Sequence, residues 1–210
     1  MTRFYVMRHG ETEWNRDGNR YCGRSDIGLS ELGKEQAERA APWIGAVRMD
    51  RIIASDRLRA YETALPAAAA LGLPIERDER VTEIDFGRWE GLRPSEITAM
   101  YPESWHNWLS DPEHTPAGVS GETASQVFER LDRFFKETTR KHPHENILVV
   151  SHSTAMRIYA VGLLGGPLRH YRQLVQSNAG IVVLDSAEDG MRLLQWNVRY
   201  DGLAPGILRS

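Results

Sequence analysis

The chain has 210 residues, 41% of them apolar and 26% charged, a globular balance that excludes a disordered or fibrous protein. At roughly 100–200 residues per domain, the length is read as a single domain over 1–210. Twenty-six Lys and Arg against 29 Asp and Glu leave a formal net charge of −3, so no global field draws the protein to nucleic acid or to a membrane, and any anion it binds needs a local cationic cluster.

Phe4, Tyr5, Val6 and Met7 read as a first strand. Ser30 is placed to cap a helix whose Leu32, Ala37, Ala40, Ala41 and Ile44 recur at helical spacing. Residues 51–54 form a second strand, followed by a helix over about 58–71 that Gly72 and Pro74 end. Between about 89 and 121, Pro94, Pro102, Pro112 and Pro116 break the pattern and Trp105 and Trp108 sit among short helical pieces, the signature of an insertion lying over a sheet. The sequence Ser120-Gly121-Glu122-Thr123 then starts a long amphipathic helix with Val127, Leu131, Phe134 and Phe135 inward. Residues 147–150 are too continuously apolar for a half-exposed strand, which predicts a central parallel one, with a helix over about 154–164 behind it. Residues 180–184 and 191–196 flank Glu188, Asp189 and Gly190, the signal of an antiparallel edge hairpin. The alternation predicts an α/β class: a three-layer α/β/α sandwich with a mostly parallel sheet, an antiparallel edge strand and a helical lid insertion. Cys22, the only cysteine, cannot form an internal disulfide and fits a reducing compartment, and no apolar stretch reaches the roughly 20 residues of a membrane span, so the expected location is the cytoplasm.

In such folds ligands bind beyond the carboxyl ends of the strands. Arg8, His9, Gly10, Glu11 and Thr12 follow the first strand, Ser55, Arg57 and Arg59 the second, and Ser151, His152 and Ser153 the third. Two histidines distant in sequence are thus brought with arginines to one edge. Guanidinium groups match phosphate oxygens bidentately, and a histidine among them is placed to attack phosphorus. Arg57 is expected to face solvent, and Glu11 to hydrogen-bond behind the loop. The run Gly28 to Glu35 nearly spells a P-loop but carries Glu35 where Ser or Thr is required, and His142 with His144 lacks further metal ligands.

Taken in order, Arg8-His9-Gly10-Glu11-Thr12, Asn15, Gly23, Ser55 with Arg59, Glu83 in Thr-Glu-Ile-Asp-Phe-Gly-Arg-Trp-Glu-Gly, and Val-Ser-His152 resemble the histidine phosphatase superfamily, also called phosphoglycerate mutase-like, across essentially the whole chain. The phrase around Glu83 is similar to the α-ribazole and broad-specificity phosphatase branches. The resemblance implies that His9 becomes phosphorylated while Arg8, Arg59 and His152 clamp the phosphoryl oxygens. It implies further phosphate or substrate contacts at Asn15 and the Gly23 backbone. Glu83 would protonate the leaving alcohol and then activate water. Ser153 stands where the family usually has Gly, so it does not demand φ > 0 and its hydroxyl could cap the next helix. Cys22, if it lines the pocket, should make the protein sensitive to thiol reagents. No metal or other cofactor is implied, since arginines and a histidine supply the positive charge.

Three functions compete: a phosphatase acting on a small-molecule phosphomonoester, a cofactor-dependent phosphoglycerate or phosphosugar mutase, and a non-catalytic phosphate-binding module. Complete catalytic residues speak against the module. The span 89–121 carries one basic residue, Arg93, against Glu90, Glu96, Glu103, Asp111 and Glu113. An acidic lid would repel a second phosphate, which favours the phosphatase, and with Trp14, Trp105 and Trp108 around the mouth it would suit a neutral, aromatic or cationic substrate end. A homodimer is left open, because the apolar run at 161–168 is equally a buried helix end.

Overall fold

A computed structural model describes residues 1–188 and 190–199, so Asp189 of the expected turn lies outside the described residues. In chain order the elements are β1 (Arg3–Arg8), α1 (Glu13–Arg16), α2 (Glu31–Gly45), β2 (Arg51–Ala54), α3 (Leu58–Leu71), β3 (Ile75–Arg77), α4 (Pro94–Met100), α5 (Pro102–Ser110), α6 (Ala124–Lys141), β4 (Asn146–Ser151), α7 (Ser153–Leu163), β5 (Ile181–Ala187) and β6 (Gly190–Val198). They build one six-stranded sheet in the order β3-β2-β4-β1-β5-β6. The first four of these are mutually parallel, and β5 and β6 close one edge antiparallel.

Alternation along each strand assigns side chains to the two layers. Phe4, Val6, Ile53, Ile147, Val149, Val182 and Leu184 face one way, against Val127, Leu131, Phe134 and Phe135 of α6 and Ile158 and Tyr159 of α7. Tyr5, Met7, Ile52, Ala54, Leu148, Val150, Ile181 and Val183 face the other way, against Ala40 and Ile44 of α2 and Ala60, Ala64 and Ala67 of α3. This is the expected three-layer sandwich, with β4 paired to both β1 and β2. Burial on both faces is why its apolar run is continuous.

Three expectations needed tertiary context. Strand β3 went unread because it is three residues long at the sheet edge, with Glu76 and Arg77 exposed. Leu32 was expected inward and is 45% exposed. Its neighbour Gly33 makes the contact instead, lying so close to the β1–α1 loop that a Cβ there would stand 2.0 Å from the Glu11 carbonyl oxygen. The span 89–121 does contain short helices, but Trp89 and Trp108 are fully buried in the core. Among the described residues no helix is long and apolar enough to cross a membrane.

Helix α2 therefore offers a paired test. Gly33 and Gly45 both lie within the helix, where Gly→Ala ordinarily stabilises by about 0.5–1 kcal/mol. At Gly45 nothing lies within 4 Å of the added methyl, so Gly45→Ala should raise Tm slightly. Gly33→Ala should instead cost about 1–3 kcal/mol through overpacking, a fall of about 2–10 °C in a domain of this size. Calorimetric melting of both variants checks the opposite signs.

Candidate active site

Strand β1 ends at the sheet's carboxyl edge, and its last residue, Arg8, is followed by His9, which lies 5% exposed. The His9 Nδ1 stands 2.7 Å from the Gly10 carbonyl oxygen. A carbonyl only accepts, so Nδ1 carries the proton and Nε2 keeps its lone pair. Burial, then the charges of Arg59 and Arg8, hold the His9 pKa well below 6.5. A neutral imidazole with a free Nε2 is a nucleophile at neutral pH. Thr63 anchors the following turn by accepting the Gly10 N–H at 3.0 Å. Glu11 accepts from Ser30 behind the loop, as expected.

His152 caps strand β4, fully buried, with its ring centroid 5.1 Å from that of His9. Arg59 Nε donates to its Nδ1 at 3.3 Å, which leaves the proton on Nε2, and that Nε2 is a buried donor with no hydrogen-bond partner. Burial and the Arg59 charge also hold His152 well below 6.5. The expected cationic clamp is thus, in the free protein, a neutral hydrogen-bond donor at His152.

Arg59 projects from the first turn of α3 and is fully enclosed. Its Nη atoms donate to the carbonyls of Ser25, Cys22 and Gly23 at 2.8, 3.1 and 2.9 Å. These bonds tie the loop before α2 to the histidine pair. Arg8 is half-buried, pulled down to about 10 by burial and propped up by Glu83, and remains cationic at neutral pH. Its Nη1 donates to the Gln176 carbonyl while Nε has no partner.

Glu83 is 5% exposed and capped onto α7: the Thr154 and Ala155 N–H groups donate to its carboxylate at 3.0 and 2.8 Å. These are the orphan donors of a helix whose N-cap, His152, makes no side-chain cap bond. The expected cap from the Ser153 hydroxyl is therefore supplied by Glu83, because Ser153 is the first helical residue and not the one preceding it. Ser153 has no positive φ and lines the cleft. Arg130 of α6 fixes Glu83 from behind, donating to the carbonyls of Arg80, Thr82 and Glu83 while paired with Glu122.

The remaining candidates divide. Asn15 lines the cleft, its Oδ1 accepting from Thr12 and Asn178. Gly23 donates its N–H to Glu90 at 2.9 Å, so that N–H is not available to a phosphate. A Cβ there would stand 2.0 Å from the Ile84 carbonyl oxygen, and close packing is what this glycine provides. Arg57 is half-buried, paired with Asp56 and donating to the Arg24 carbonyl.

Of these residues, Arg8, His9, Asn15, Glu83 and Ser153 line a cleft of about 460 Å³ whose charged lining is Arg8, Arg20, Arg157, Arg172 and Glu83, whereas Arg59 and His152 lie behind it. The span 89–121 contributes only Pro94 to this lining. The expected acidic lid is absent from it, and three of its five carboxylates serve backbone donors instead: Glu90 accepts the N–H groups of Gly23 and Arg24, Glu96 that of Arg93, and Glu113 that of Leu168. Nor do Trp14, Trp105 or Trp108 line it, and the aromatic walls are Tyr21, Phe86 and Tyr171. A cationic cleft removes the reason for expecting a neutral or cationic substrate end. Sequence reading missed Arg157, Arg172 and Arg130; Arg157 stands one helical turn beyond Ser153, a spacing that could have placed it at the same mouth.

Cys22 also lines the cleft, half-buried, its Sγ donating to the Ser25 carbonyl, and burial pushes its thiol up to about 11 despite the nearby Arg59 charge. At pH 7.5 iodoacetamide should modify it about 100-fold more slowly than an unperturbed thiol, since only the thiolate reacts. The rate should climb with pH until about 11 and fall when inorganic phosphate is added, as followed by mass spectrometry.

The chain matches the histidine phosphatase superfamily (branch 1) over residues 4–199. It is 34% identical over 198 residues to phosphoserine phosphatase 1 of Hydrogenobacter thermophilus, covering 94% of this chain and 93% of that one. It is 29% identical to a probable phosphoglycerate mutase of Erwinia tasmaniensis, covering 96% and 93%. Phosphoserine phosphatase from Entamoeba histolytica, in a mutant form solved with phosphoserine, superposes with a TM-score of 0.88 at 27% identity, covering 97% and 100%. With the paired histidines at one sheet edge, these matches show that the chain belongs to the histidine phosphatase superfamily.

Proposed function

We propose that the protein hydrolyses a small-molecule phosphomonoester through a phosphohistidine formed on His9, without a metal. The observation that carries this reading is the state of His9: neutral, its Nδ1–H fixed by the Gly10 carbonyl, and its Nε2 lone pair unspent. Nε2 attacks phosphorus, a P–N bond forms and the P–O bond to the alcohol breaks. Glu83 gives its proton to the departing oxygen, because an alkoxide leaves poorly. In the second half, Glu83 takes a proton from water as its oxygen attacks phosphorus. The P–N bond then breaks, releasing inorganic phosphate and the neutral imidazole. Charge on the transferring group is met by Arg8 and by the unpartnered His152 Nε2–H, donors fixed in place before the reaction begins. Three backbone N–H groups, of Ile84, Thr154 and Ala155, hold the Glu83 carboxyl so that it does not have to be oriented during the reaction.

A mutase uses the same first half and returns the phosphoryl group to a second hydroxyl instead of water. The cationic cleft lining is compatible with that outcome, and the phosphatase reading is supported by the phosphoserine phosphatase relatives.

Incubation with a labelled phosphomonoester in excess chelator, followed by acid and alkali quenches, tests the mechanism. The expected label is alkali-stable, acid-labile and absent in His9→Ala, whose kcat should fall at least about 10³-fold. Glu83→Gln should lower kcat about 10²–10⁴-fold while still accumulating label from an ester with a good leaving group. Chelator-sensitive turnover would refute the metal-free route, and release of label to water rather than to an added alcohol separates phosphatase from mutase.

The pH profile follows from the depressed histidines. Attack requires neutral His9, and falling pH protonates it. With its pKa held well below 6.5, kcat/KM should show no loss from His9 protonation between neutrality and pH 6.5, and its acid limb should lie below that value. An acid limb centred at 6.5 or above would show that the site does not depress this histidine.

A further inference from the structure

The loop at 22–25 is held from two sides, and the two holders carry opposite charge. Arg59 takes its carbonyls, at Cys22, Gly23 and Ser25. Glu90, in the segment leading to α4, takes its donors: Oε1 accepts from the Gly23 and Arg24 N–H groups at 2.9 Å each, and Oε2 from the Ser25 N–H at 3.4 Å and the Ser25 hydroxyl at 2.8 Å. The carbonyl of Cys22 and the N–H of Gly23 belong to one peptide group, and the carbonyl of Gly23 and the N–H of Arg24 to the next. Two consecutive peptide groups therefore bridge Arg59 to Glu90, each with its oxygen on the guanidinium and its N–H on the carboxylate. The third repeats the pattern with Arg57, which donates to the Arg24 carbonyl at 2.8 Å.

Among the described residues neither Arg59 nor Glu90 has an opposite charge in salt-bridge contact, and the nearby Arg24 and Arg57 pair with Asp85 and Asp56 instead. The peptide dipoles are what joins the two. A peptide group bonded to a cation at one end and to an anion at the other is polarised by both, which strengthens both bonds. The position of Glu90 is itself built. Gly91 donates to the Tyr21 carbonyl at 2.8 Å and Tyr21 to the Leu92 carbonyl at 2.9 Å, a backbone pairing that carries the Glu90 segment alongside the loop. Gly23 leaves room for the carboxylate, since a Cβ there would stand 2.5 Å from Glu90 Oε1. At the far end, Arg59 Nε meets His152 Nδ1 at 3.3 Å, and that bond keeps the His152 proton on Nε2.

We propose that Glu90 is a positioning residue: through two peptide groups of the loop it fixes the orientation of Arg59, and through Arg59 the tautomer of His152. Its effect on the ring needs no substrate. Its effect on turnover rests on the reading that the His152 Nε2–H meets charge developing on the phosphoryl group, and it therefore falls on kcat and not on KM.

Nuclear magnetic resonance of the full chain, free of ligand, reads the arrangement directly. In the wild type the Gly23 and Arg24 amides should exchange slowly, and the ring nitrogen shifts of His152, identified by their loss in His152→Gln, should show one tautomer, protonated at Nε2. Glu90→Gln keeps the shape of the side chain and removes its charge. It should speed exchange of both amides at least about tenfold and bring the Nδ1-protonated form of His152 into view. With para-nitrophenyl phosphate, kcat should fall about tenfold while KM changes by less than about twofold. Ser25→Ala removes only the hydroxyl bond to Oε2; it should move the ring and kcat the same way by a smaller factor, and it decides the matter if Glu90→Gln does not fold. A lowered Tm with the His152 tautomer and kcat unchanged means that Glu90 only stabilises the loop, and overturns the proposal, as does fast exchange of the two amides in the wild type. Trapping of label on His9 keeps the two readings apart. A changed ring with no label on the wild type sinks the phosphohistidine reading alone, and label with an unchanged ring sinks this one.

Discussion

The guanidinium of Arg59, sealed beneath the surface, is the tie on which the rest of the site depends. A buried cation costs several kcal/mol in desolvation unless its donors are met. Here they are met by three carbonyls of the loop at 22–25 and by a ring nitrogen of His152. One side chain therefore joins α3, the loop before α2 and the end of β4. Its charge also does electrostatic work: after burial itself, it is the largest influence holding both histidines well below the usual imidazole pKa.

Around that tie, the start of α7 brings His152 and Glu83 together. Its N-terminus exposes N–H groups that need acceptors, and Glu83, from a segment 70 residues earlier, supplies them. The same contact that satisfies the helix end fixes the carboxyl near His9. Arg130 of α6, itself paired with Glu122 just before that helix, donates to the Glu83 carbonyl, so the position of the carboxyl is set by the packing of α6 and α7 and not by the flexibility of its own loop. Close backbone approaches at Gly33 and Gly23 hold the histidine loop and its neighbour at distances no side chain would permit.

Charge is distributed by the same logic. The formal balance of −3 says little about the cleft, because most carboxylates near it are turned to backbone N–H groups or to partner arginines. What remains at the cleft wall is cationic. Composition counts groups, whereas a site is made by those left uncompensated after the fold has satisfied the others.

Strand alternation, the cap at Ser30, the break at Gly72 and the continuous apolar run of β4 are local signals, so the layered fold was legible in the sequence. So was the gathering of Arg8, His9, Arg59, Glu83 and His152, because each follows a strand or sits in a recognisable phrase. Strand β3 was not, since three residues with two exposed charged side chains carry no periodicity. The role of Gly23, the origin of the α7 cap and the direction of the carboxylates between 89 and 121 were also illegible. Each depends on which donor meets which acceptor across distant segments, and only tertiary contact makes that choice. Most elements, the layers and the residues gathered at the sheet's carboxyl edge follow from local periodicity and residue chemistry, which the sequence carries. The tertiary structure alone decided the tautomers, the helix cap and the cationic lining of the cleft, because these follow from burial and from hydrogen bonds closed over many tens of residues.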